Sequence, residues 1–175
     1  MQQLNPGKWS ARFLWASVIQ GLFAVIWTLF IVNPWSTPSP SKIIAAGSAG
    51  TWFFTGYVLY VLVGVVAIAV TSFFYIYIEG LRGKAYSGIS NYLAWGHLLL
   101  MNIGVAASTW LLMYGGYSAG AALLPASQGG LGWNATQVHV NILQYYVNPV
   151  GILVWITALG ALLGGLGYVL TSRKA

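Results

Sequence analysis

Four long apolar stretches constrain this chain more than any other feature of its sequence. They cover about residues 13–32, 51–78, 90–114 and 149–170, and few strongly polar residues interrupt them. About 20 apolar residues in a helix are enough to cross a hydrocarbon core of about 30 Å. We therefore predict an all-α integral membrane four-helix bundle that forms a single transmembrane domain over residues 1–175.

The composition supports this prediction and narrows the function classes. The chain is 58% hydrophobic and 5% charged, whereas soluble domains carry roughly 25% charged residues. The net charge of +6 does not predict nucleic-acid binding, because the cations lie singly or in pairs at the ends of the apolar stretches. The absence of cysteine excludes disulfides, thiolate metal sites and thiol catalysis.

The cations predict the orientation of the bundle. Four spans put both termini on one side, and that side collects six cations, namely Lys8, Arg12, Arg82, Lys84, Arg173 and Lys174. The other side has Lys42 alone. Because cytoplasmic loops are enriched in Lys and Arg, we predict a multi-pass protein of the cell membrane with both termini cytoplasmic.

The two external loops then follow from the spans. Residues 33–50 contain three prolines, which forbid a continuous helix. Residues 115–148 begin with a glycine-rich half and end with a half whose apolar residues recur at helical spacing. We interpret that second half as a short interfacial helix or packed lid, with Pro149 opening the last span, as proline does in a first helical turn.

Three polar residues have simple interpretations. Gln20, inside the first span, predicts an interhelical hydrogen bond. Glu79, the single acidic residue, is close enough in sequence to pair with Arg82 or Lys84. Asn134 begins an Asn-Ala-Thr tripeptide on the predicted outer face, which makes it a glycosylation candidate.

The third span holds the candidate cofactor-contacting residues His97, Met101 and Asn102. His97 lies about 13 Å into the helix, which predicts a position near the middle of the membrane. Met101, Gly104 and Ser108 share its helical face, and Asn102 lies to one side. Three interpretations stay open: a neutral histidine bonded across helices, a haem or metal ligand, and a contact with a quinone or a proton path.

No catalytic residue and no metal site are predicted. The second histidine, His139, lies in the external segment, so a depth difference of roughly 15 Å argues against shared haem ligation with His97. We therefore expect no cofactor of the chain's own. Small-residue spacing at Gly160, Gly164, Gly165 and Gly167 favours tight helix packing, within the bundle or against another subunit.

Part of the chain resembles a known group of proteins. The sequences TWFFTGYVLY, IEGLRGKAYSG and YLAWGHLLLMNIGVAASTWLLMYGGYSAGAALLP, within residues 40–125, resemble small four-helix archaeal membrane proteins associated with haem-copper terminal oxidases. The pattern of Trp95, His97, Asn102 and Gly104 is similar to the histidine-bearing helices of oxidase catalytic subunits, which have many more helices and metal-ligating histidines. The resemblance implies an accessory subunit that contacts haem or quinone held by a partner.

The predicted function is therefore that of a non-catalytic subunit of a membrane respiratory complex, with an archaeal terminal oxidase preferred. Its expected partners are the other membrane subunits and the lipid bilayer. One alternative is a small b-type cytochrome or quinone-binding electron carrier that uses His97. Another is an accessory subunit of a different membrane enzyme, such as a monooxygenase.

Overall fold

The computed structural model describes residues 7–173, and within this range every regular element is helical. Four of the helices are long and apolar enough to cross a membrane: α1 (Lys8–Val32), α3 (Gly50–Leu81), α4 (Ile89–Leu123) and α5 (Ala135–Ser172). The short helix α2 (Pro40–Ala45) follows α1, and a 3-10 turn at Ala126–Gln128 lies between α4 and α5. The predicted all-α architecture with four candidate spans is confirmed.

Helix α4 continues nine residues beyond Tyr114, the predicted end of the third span. The glycines in this extension bring α4 against its neighbours rather than forming a loop. A Cβ atom on Gly116 would lie 2.2 Å from the backbone nitrogen of Phe53, and one on Gly120 would lie 2.4 Å from Ile43. The predicted loop was therefore wrong for residues 115–123, where these glycines allow close backbone approach within a helix, whereas residues 124–134 do connect α4 to α5.

Helix α5 begins at Ala135, so the segment that we predicted as a separate short helix forms its first turns. Asn134 and Gln137 make a capping box: the Asn134 side chain accepts from the Gln137 amide at 2.9 Å, and the Gln137 side chain accepts from the Asn134 amide at 2.9 Å. Pro149 lies inside α5. Its predicted place in the first turn of the last span was therefore wrong.

Helix α4 occupies the centre of the bundle. It packs along α5 on one side and against α3 on the other, while α1 packs mainly against α3. The α4–α5 contact is close because Gly104 approaches Thr157 and Gly160 approaches the backbone of Met101. The predicted small-residue packing is thus confirmed within the bundle, whereas Gly165 has open space where a side chain would project.

A polar cluster joins three helices halfway along the bundle. Gln20 donates to the Asn102 side-chain oxygen at 3.2 Å and accepts from the Tyr60 hydroxyl at 2.5 Å. Tyr60 begins a π-helical segment of α3, Tyr60–Ala67, and the Ser17 hydroxyl donates to the Val65 carbonyl of that segment at 3.0 Å. The predicted interhelical hydrogen bond of Gln20 is confirmed.

One end of the bundle, called the charged end here, carries most of the cations. Lys8, Arg12, Arg82, Lys84 and Arg173 lie there, and Lys174 is outside the described residues. Lys42 lies in α2, at the opposite end. The clustering that we predicted along the sequence is therefore also a clustering in space.

Glu79 has a different role from the predicted one. Its carboxylate accepts hydrogen bonds from the backbone amides of Trp9 and Ser10, at 2.9 and 3.3 Å, so it caps the N-terminus of α1 from the end of α3. Lys84 donates to the carbonyl of Ser172 at 2.8 Å. The predicted pairing of Glu79 with Arg82 or Lys84 was wrong because the amides of a helix N-terminus take up this carboxylate.

Candidate functional site

His97 is the residue around which the candidate site is built. It lies eight residues into α4, about 12 Å from the start of that helix and about 39 Å from its end. Its distance from the charged end agrees with the predicted distance of about 13 Å, and its depth in a membrane stays a prediction. Its side chain is only 7% exposed, so any ligand of this histidine must reach it through a cavity between the helices.

Both ring nitrogens of His97 face protein atoms. Nδ1 lies 3.1 Å from the Tyr75 hydroxyl, and Nε2 lies 3.3 Å from the Met101 sulfur. A neutral imidazole satisfies both contacts if Nε2–H donates to the sulfur and the Tyr75 hydroxyl donates to Nδ1. The predicted interpretation of a histidine bonded across helices fits this geometry, with Tyr75 of α3 as its partner.

The His97 ring is also held sterically. The Phe13 ring centroid lies 4.7 Å from it on the α1 side. On the α5 side a Cβ atom on Gly164 would lie only 2.2 Å from Nδ1, so the backbone of α5 contacts the ring directly. Three helices therefore fix the orientation of one α4 side chain.

A cavity of about 480 Å³ opens beside His97 between α3 and α5. We call it the histidine groove. Its lining is mainly aromatic and small apolar residues: Thr71, Phe74, Tyr75, Tyr86, His97, Met101, Ala161, Gly164, Gly165, Tyr168 and Val169. It has the character of a small-molecule site, which is concave and apolar with a few polar groups that fix orientation.

Tyr86, in the loop between α3 and α4, supplies a phenol at the charged end of the histidine groove. Its ring lies 4.9 Å from that of Tyr75 and is almost completely buried. Burial raises the pKa of the Tyr86 phenol, and the negative charge of Glu79 raises it further. The hydroxyl therefore keeps its proton at neutral pH and can donate a hydrogen bond.

The three predicted cofactor-contacting residues do not form one site. His97 and Met101 both line the histidine groove. Asn102 faces α1, where it bonds Gln20, and it lines a second cavity. Sequence reasoning missed Tyr75 and Tyr86, since aromatic residues near the end of a span also fit the ordinary interfacial belt.

The second histidine is far from the first. His139 lies in the π-helical segment His139–Leu143 of α5 and is exposed. Gly164, which contacts His97, is 25 residues further along the same helix, or roughly 37 Å at the usual rise. This separation exceeds the predicted 15 Å, since α5 starts earlier than expected. Among residues 7–173, no three His, Cys, Asp or Glu side chains come together.

The glycosylation candidate Asn134 is exposed at the start of α5. Its side-chain oxygen is engaged in the capping box. Glycosylation of Asn134 stays a prediction. The chain matches no known protein-family model, no curated protein and no solved structure.

Proposed function

We propose that this protein is an accessory subunit of a membrane respiratory complex, and that an archaeal haem-copper terminal oxidase is the first complex to test. We further propose that it lies in the cell membrane with both termini cytoplasmic. The resemblance over residues 40–125 motivates the choice of complex. The concentration of cations at the charged end supports the orientation.

The observation that carries a redox-related role is the histidine groove. An apolar slot with an imidazole and phenols in its wall suits a flat conjugated ring whose carbonyl oxygens accept hydrogen bonds, as in a quinone. The slot lies between two candidate spans, α3 and α5, and its wall includes the exposed side chains of Phe74 and Val169, where a lipid-soluble molecule or a neighbouring subunit has access. The groove would then border a quinone, or a haem edge, that a partner subunit also contacts.

The contacts of His97 bear on the alternative of a small b-type cytochrome. Axial ligation needs a ring nitrogen directed at iron, whereas Tyr75 and Met101 occupy the two nitrogens of His97. An electron carrier that ligates haem through His97 would therefore have to break one of these contacts. The geometry favours a bordering role over ligation.

Copurification tests the proposed partnership. The tagged protein should be extracted from its own membranes in a mild detergent and separated by native electrophoresis. We expect it to migrate with haem-containing subunits that are identified by mass spectrometry. Migration as a free 18.8 kDa chain would refute the subunit assignment, and companions from a monooxygenase would support that alternative.

A photoreactive quinone tests the role of the groove in the isolated complex. Labelling should map to peptides that line the histidine groove, and His97→Ala should reduce it severalfold. His139→Ala is the matched control, because this histidine is exposed and distant. Equal labelling of both variants would contradict the quinone contact. A reduced-minus-oxidised spectrum of the purified single chain that loses its haem bands in His97→Ala would support the cytochrome alternative.

A further inference from the structure

A second cavity of about 480 Å³ lies on the other side of α4, between α1 and α4. We call it the α1/α4 groove. It extends from Arg12 and Trp95 at the charged end to Gln20 and Ile103, which is about 12 Å along the helices. Apart from its ends, its walls are apolar, and several wall residues are exposed: Trp15, Ile19, Leu99 and Ile103.

Arg12 occupies the charged-end opening of this groove in an unusual environment. Its guanidinium carbon lies 4.4 Å from the ring centroids of both Trp9 and Trp95. The two indoles are nearly perpendicular, at 84°, so the cation lies in a corner between them. An arginine near a helix end ordinarily extends towards the headgroups, whereas cation–π contacts hold this one at the groove.

The hydrogen-bonding capacity of Arg12 is not filled by the described part of the chain. Its Nη1 atom is buried and has no acceptor there. Glu79 lies close enough for electrostatic interaction with Arg12, but its hydrogen bonds go to the Trp9 and Ser10 amides. A guanidinium has five N–H donors that match the oxygens of a phosphate. The described residues therefore leave Nη1 of Arg12 without an acceptor at this opening.

We propose that the α1/α4 groove binds an anionic phospholipid, with its phosphate at Arg12 and an acyl chain along the groove wall. The charge of this end supports an anionic headgroup, because the described residues place five cations there against the single carboxylate of Glu79. The position supports a lipid over a soluble anion, because the opening continues directly into an apolar channel between two candidate spans. This proposal is independent of the proposed function.

Native mass spectrometry of the full chain tests the proposal. The delipidated protein should be titrated in micelles with phosphatidylglycerol and with phosphatidylcholine that carry the same acyl chains. We expect phosphatidylglycerol to bind about tenfold more tightly, because both lipids offer a phosphate to Arg12 but the choline ammonium of phosphatidylcholine is repelled by that guanidinium. Equal binding of the two lipids would overturn the proposal, as would a lipid-free dimer in which a second copy covers the groove.

Three variants locate the lipid. Arg12→Gln should abolish the tenfold preference, and Arg82→Gln, which removes an exposed cation at the same end, should leave it intact. Ile103→Trp should fill the groove and weaken binding of both lipids while Arg12 stays in place. Equal losses from Arg12→Gln and Arg82→Gln would show a general charge effect and refute a site. Undiminished binding by Ile103→Trp would refute the groove even if Arg12→Gln fails to fold.

Discussion

Replacing Gly164 by alanine tests whether His97 is fixed by the backbone of α5. A Cβ atom at this position would lie 2.2 Å from Nδ1 of His97, and 2.4 Å from Cε1. Ordinary contact begins at 3.4 Å, so the ring or the helix must move by about 1.2 Å, the difference between these distances. If the ring moves, a displacement of this size also breaks the 3.1 Å contact between Tyr75 and Nδ1.

Two destabilising effects and one stabilising effect set the expected change in the free energy of unfolding. Overpacking a close contact costs about 1–3 kcal/mol, and loss of the hydrogen bond costs about 1 kcal/mol. Replacing a helical glycine by alanine stabilises the helix by up to about 1 kcal/mol. We therefore expect Gly164→Ala to lower the free energy of unfolding by about 1–3 kcal/mol. Gly165→Ala is the matched control and should be neutral or slightly stabilising, because nothing lies within 4 Å of its Cβ position.

Reversible unfolding in mixed micelles, followed by circular dichroism, measures these differences. The decisive comparison is Gly164→Ala made in the His97→Ala background, where the ring that causes the clash is gone. There we expect the change to cost no more than Gly165→Ala does. A cost that is the same in both backgrounds would refute the contact between Gly164 and His97 as its cause.

Three further substitutions test the packing elsewhere. Glu79→Gln should destabilise the start of α1 by about 0.5–2 kcal/mol, since a neutral amide replaces a carboxylate that caps two backbone amides. Faster hydrogen exchange confined to the first turn of α1 would show this destabilisation, and unchanged exchange would contradict it. Gln20→Leu should lower the free energy of unfolding by about 1–3 kcal/mol, because the buried Tyr60 hydroxyl loses its side-chain acceptor. A stabilised variant would mean that the polar cluster of Gln20, Tyr60 and Asn102 is dispensable. Gly116→Ala should lower the free energy of unfolding by at least about 1–3 kcal/mol, because α3 contacts this position. Gly151→Ala is the control and should be neutral, because nothing lies near its Cβ position. Equal stability of the two variants would argue against the close α3–α4 approach.

The sequence was sufficient for the predictions that depend on composition. Long apolar stretches predicted four candidate spans because hydrocarbon requires a continuous apolar helix surface. Gln20 predicted an interhelical bond, since a polar amide in such a helix needs a partner. Gly160 and Gly164 predicted close packing because two helices can approach only where side chains are small.

The helix ends and the histidine groove were harder to predict, for a physical reason. Gly115 and Gly116 are typical loop residues in water, yet between packed helices the lack of a side chain is what permits contact. Asn134 and Gln137 did carry the capping-box signal, but Pro149 was the more conspicuous start signal and it drew the predicted boundary. The Tyr75–His97 contact depends on how α3 and α4 pack, and no local pattern specifies that.

The capping of α1 by Glu79 has a consequence for the order of biogenesis. The carboxylate and the amide of Trp9 are 70 residues apart in the chain, so α1 is synthesised and available for insertion well before its cap exists. At 5–20 residues per second this interval lasts roughly 4–14 seconds. During that time the first amides of α1 depend on water or lipid headgroups. We expect a nascent chain arrested before residue 79 to exchange these amides faster than the completed chain, and equal exchange would show that α1 is capped in another way.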